Sequence, residues 1–102
     1  MDLEYFKCQI EDELEGGKAY AKLAVENQFT HPEWSEMFAE MAKAEMQHAA
    51  NLSKMMDEYY KEITSGYKDS PCPIYLVDIH KEATDMYMEC SAKIKYILAL
   101  LG

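Results

Sequence analysis

Glu45 and His48 stand three residues apart, so on a helix their carboxylate and imidazole share one face and can reach a single point. A second carboxylate, Glu13, lies some thirty residues earlier. Oxygen and imidazole donors in this combination suit Fe(II) or Mn(II), and a carboxylate that bridges two cations holds them close by offsetting their repulsion. Burying any one of the three polar groups alone would be costly, whereas a shared metal satisfies all of them. Plainer readings exist for each: His48 as a core histidine hydrogen-bonded to Glu13, and Glu45 paired with Lys18 or Lys22.

Whether the three residues meet depends on the elements that carry them. Apolar positions at Leu3, Phe6, Ile10, Gly17, Tyr20 and Ala24 recur at three and four, predicting a first helix from Leu3 to Asn27. Thr30 followed by Pro32 and Glu33 reads as a capping box with proline in the first turn, so a second helix should start there. Its apolar seam is predicted as Trp34, Phe38, Met41, Glu45, His48, Leu52, Met55 and Tyr59, running on to about Ile63. The short connection makes the pair an antiparallel hairpin. With the turn centred near position 29, Glu13 and Glu45 each stand 16 residues from it and should meet at one height.

The stretch from Ser65 to Pro73 holds the helix breakers absent elsewhere and reads as the one substantial loop. A third helix is predicted from Ile74 to Leu101, with Leu76, Ile79, Ala83, Met86, Cys90, Ile94, Ile97 and Leu101 as its apolar face. Low glycine and proline contents, 4 and 3, agree with an all-α chain. A length of 102 residues suits a single domain, 1–102, with one modest core. The five methionines from Met37 to Met56 are expected to fill that core.

Nineteen acidic against ten basic residues give a formal charge of −9, which repels phosphate backbones and anionic lipid headgroups, so neither nucleic acid nor membrane is expected as a partner. Cys8, Cys72 and Cys90 form no paired motif and point to a reducing, cytoplasmic setting. The N-terminus lacks the basic start and apolar run of a signal peptide. His31 and His80 have no matched partners and read as surface or capping residues.

The segment Asp12-Glu13-Leu14-Glu15-Gly16-Gly17-Lys18-Ala19-Tyr20, followed by Glu45-Met46-Gln47-His48-Ala49-Ala50, resembles the ferritin-like superfamily, and within it the rubrerythrins and encapsulated ferritins. The resemblance covers about residues 5 to 55. It implies that Glu13, Glu45 and His48 are ligands of a carboxylate-bridged di-iron site, with Tyr20 hydrogen-bonded to a ligating carboxylate. Glu82, five residues before Tyr87, resembles the third-helix ligand of rubrerythrins and would be a further ligand on that reading.

The chain departs from rubrerythrin in having three helices, one Glu-x-x-His and no four-cysteine iron site. By resemblance to encapsulated ferritins, a homodimer or higher homo-oligomer would complete a four-helix bundle, with two iron ions shared between copies and manganese as the other candidate metal. The implied activity is ferroxidase-type oxidation of Fe(II) by dioxygen or peroxide. Iron storage would need an enclosing shell, which a compartment or cage partner would have to supply. The competing expectation is a non-catalytic acidic helical protein that binds a basic partner.

Overall fold

The computed structural model describes residues 1–102, arranged as three helices: α1 (Leu3–Asn27), α2 (Pro32–Thr64) and α3 (Ile74–Ala99), with a 3-10 turn at Ser65–Tyr67. Asp2 starts α1 by accepting the Tyr5 backbone N–H at 2.8 Å, satisfying an amide that the helix itself leaves unpaired. The expected capping box does not form. His31, not Thr30, precedes α2, and no side chain caps it. Pro32 is the cause: it disfavours helical backbone in the residue before it, so His31 stays outside the helix and Glu33 falls one position short of the reciprocal bond.

The hairpin is antiparallel, and α3 then runs parallel to α1. Lys7 pairs with Glu82 towards one end (3.1 Å), and Gln28 accepts from the Gly102 N–H at the other (3.4 Å). Both α2 and α3 therefore pack on α1, while their side chains join directly where Asp57 meets His80 at 2.8 Å and Tyr60 stacks on the same imidazole at 4.0 Å. The resulting rod measures 61 × 18 × 16 Å. No helix is long and apolar enough to cross a membrane.

One core threads the three helices, built from Leu3, Phe6, Ile10 and Leu14 of α1 with Ala42, Ala49, Met56, Ala83 and Ile94. The α1 and α3 stripes lie where the spacing predicts, although α3 stops at Ala99 rather than Leu101. On α2, Leu52 and Tyr59 of the expected seam pack on the core, but the buried residues are others. Ser35, Ala39, Ala42, Ala49 and Met56 face inward, while Trp34, Met41 and Met55 are exposed. That is a rotation of one residue, about 100° around the helix.

Small residues explain the rotation. Ala21 and Ala24 of α1 are fully buried, as are Ala42 and Ala49 of α2, and Gly17 lies close to the Ala42 carbonyl, which a Cβ at 17 would meet at 3.5 Å. Two helices with small facing residues gain close backbone packing that bulky side chains would prevent. Ser35 adds a buried bond across the hairpin, its hydroxyl donating to the Ala24 carbonyl at 2.6 Å. The methionines are consequently not all core filler: Met56 is buried and Met46 packs on the core, but Met37, Met41 and Met55 face solvent.

Candidate metal centre

Glu13 comes from the middle of α1, and Glu45 and His48 from successive turns of α2. Equal distance from the hairpin turn brings them to one level, and one donor atom from each lies within 4.8 Å of the others. His48 Nδ1 stands 3.4 Å from Glu13 Oε2. This is the only such group of three or more potential metal donors in the chain. Neither Lys18 nor Lys22 pairs with Glu45, so that plainer reading fails.

Glu13 and Glu45 are two carboxyl groups held side by side, and the electrostatics of the cluster follow from that. The hydrogen bond shared with Glu13 holds the Glu45 carboxyl above the usual carboxylate range. Partial burial and the negative charge of Glu13 push the same way, and His48 opposes them. A divalent cation between the two carboxylates would offset their repulsion and satisfy both at once, so the donor set fits Fe(II) or Mn(II).

Room for the carboxylate comes from Gly16 and Gly17. A Cβ at Gly16 would sit 3.5 Å from both Cδ and Oε2 of Glu45, and one at Gly17 would sit 3.4 Å from Glu45 Cβ and 3.2 Å from Ile94 Cδ1. Each glycine in a helix interior costs about 1 kcal/mol relative to alanine. Two in succession are the sequence signal that something approaches this turn closely, and it is Glu45 that does.

The cluster is not enclosed. The side chain of His48 is 58% exposed and that of Glu13 27%, and the exposed side chains of Trp34, Met37, Met41 and Met55 lie along the same open flank of α2 as His48. Three protein donors alone would leave a metal ion with open coordination positions.

Two residues expected at the site have other roles in the fold. Glu82 is engaged by Lys7 at 3.1 Å with its side chain 61% exposed, and it is not part of the donor group. Tyr20 stacks on Phe38, ring centroids 6.3 Å apart, and within the chain its hydroxyl makes no hydrogen bond to Glu13 or Glu45. His31 stacks on Trp34 at 3.8 Å and His80 pairs with Asp57, away from the cluster, and all three cysteines are free.

The Rubrerythrin family profile matches residues 4–98. Neither a search of curated proteins nor one of solved structures returned a match. A match over nearly the whole length, on a helical fold that brings Glu13, Glu45 and His48 together, is decisive for kinship: the chain belongs to the Rubrerythrin family.

Proposed function

We propose that this protein is a di-iron carboxylate protein of ferroxidase type whose site is shared between two copies of the chain. The observation that carries the reading is the Glu13, Glu45 and His48 cluster, within 4.8 Å and open along one flank. A two-fold axis beside that flank would set two such clusters face to face, so that two carboxylate–imidazole pairs and two further carboxylates surround a pair of ions. The exposed Trp34, Met37, Met41 and Met55 side chains would be covered by the same contact.

In this reading Glu13 and Glu45 would supply carboxylate oxygens to the ions, and the half-exposed His48 would supply a nitrogen donor. When bound, paired iron supplies one-electron redox chemistry at each ion. Two Fe(II) substrate ions give up two electrons, which with two protons reduce dioxygen to hydrogen peroxide, or peroxide to two waters. The Glu45 carboxyl, raised by its hydrogen bond with Glu13, by partial burial and by the charge of Glu13, would lose that upward push when a cation lies between the two carboxylates. Manganese fits the same donors, and any storage of oxidised iron falls to a cage or compartment partner.

Anaerobic Fe(II) titration with light scattering tests the proposal. The expected result is a dimer or larger oligomer that takes up about one metal per chain. His48→Ala should abolish uptake while keeping the helical content. Uptake that is absent from the parent protein, or unchanged in the variant, overturns the reading.

A further inference from the structure

At the end of the bundle away from the hairpin turn, a cavity of about 340 Å³ opens between the start of α1, the end of α2 and the start of α3. Tyr59, Tyr67 and Tyr75 line it together with the aliphatic side chains of Leu3, Ile63 and Ile79. Asp2 and Glu4 are its only charged lining residues, and none is basic. Tyr59 is held in place: its hydroxyl donates to the Met1 carbonyl at 3.1 Å, and its ring lies 5.7 Å from that of Phe6. Glu4 has no hydrogen-bond or ion-pair partner, and Asp2 has one oxygen engaged in capping α1.

We infer that this cavity binds a small organic cation, an ammonium carrying apolar substituents. Tyrosine faces attract a weakly hydrated cation, aliphatic walls take its substituents, and the carboxylates favour positive charge over a neutral molecule of equal shape. The N-terminus and the helix ends do not reverse that preference. The Met1 ammonium brings one positive charge, the first turns of α1 and α3 about half a positive charge each and the last turn of α2 about half a negative one, together still less than the two full carboxylates. The cavity is separate from the metal centre, since Glu4 and Glu13 lie roughly 14 Å apart along α1.

Choline and its uncharged carbon analogue 3,3-dimethylbutan-1-ol are the probes, titrated by calorimetry into the whole protein with and without bound metal. Choline should bind saturably in both forms, and the neutral analogue at least about fivefold more weakly, the scale of one cation–π contact. Tyr75→Leu keeps apolar volume but removes an exposed ring, and should weaken choline about two- to fivefold. Glu4→Gln should weaken choline and leave the neutral analogue unchanged. Both residues lie outside the core, so their variants fold and metal uptake serves as the control. Equal binding of the two probes, no saturable choline binding up to tens of millimolar, or displacement of choline by Mg²⁺ at equal concentration would overturn the inference.

Discussion

Met55 and Met56 are neighbours in sequence with opposite surroundings: Met56 is 0% exposed against α1, and Met55 is 47% exposed on the open flank of α2. The same division runs along the helix. The inward face carries Ser35, Ala39, Ala42 and Ala49, and the outward flank carries Trp34, Met37 and Met41. Small side chains let α1 and α2 come close enough for Glu13 to reach Glu45 and His48. The large apolar side chains left outside make up the flank that the proposed two-fold contact would cover.

Substituting the two methionines separately is the strongest way to break that contrast. Met56→Ala should cost the metal-free fold about 2–5 kcal/mol, a buried side chain lost with its cavity left behind. Met55→Ala should cost no more than about 0.5 kcal/mol in dilute monomer but weaken self-association. Urea unfolding at low concentration, beside light scattering at high concentration, reads both effects. Equal losses of stability would erase the distinction between the faces.

The neighbours Trp34 and Ser35 repeat the comparison at lower amplitude. Ser35→Ala leaves the buried Ala24 carbonyl without its 2.6 Å partner and should cost about 1–2 kcal/mol. Trp34→Ala should scarcely alter monomer stability and should act on association instead. A stability loss for Trp34→Ala matching that for Ser35→Ala would show that the outward flank is part of the monomer core.

These pairs also show where the sequence was legible. Spacing of three and four located all three helices, and equal separation from the turn was enough to bring Glu13 level with Glu45. The period cannot choose between two adjacent stripes on α2, because both are rich in apolar residues and side-chain bulk favours the outer one. The choice was made by close packing, which favours alanine and even serine where backbones approach, a property of the pair of helices rather than of α2 alone. Glu82 shows a related limit: its place at the edge of a stripe does not reveal that Lys7 faces it within the chain.

Gly16 carries the contrast into the site. Gly16→Ala removes a helix-interior glycine and should stabilise the metal-free protein by up to about 1 kcal/mol. Its new methyl group would touch the Glu45 carboxylate at 3.5 Å, taking space that a bound ion and its remaining ligands need. Fe(II) affinity should therefore fall as melting temperature rises. If affinity is unchanged, the glycine serves only helix packing.

The smallest expected effect concerns the proton between the carboxylates. Glu45 is pushed above its ordinary value of 4.5, first by the hydrogen bond with Glu13, so the folded metal-free protein holds that proton more tightly than the unfolded chain does. The stability this contributes is fully present below pH 4.5 and is lost as pH rises through the folded value. Metal binding has the opposite slope, because ions compete with the proton and bind better as it leaves. Chemical unfolding in a chelator across this range should thus show a stability component that declines with pH in the parent and is absent from Glu45→Gln, which retains an amide hydrogen-bond donor to Glu13. Adding Fe(II) anaerobically should replace the decline with a rise in the parent alone. A decline of the same size in Glu45→Gln would place the titrating group elsewhere on the acidic surface and separate the two carboxylates that the hairpin brings together.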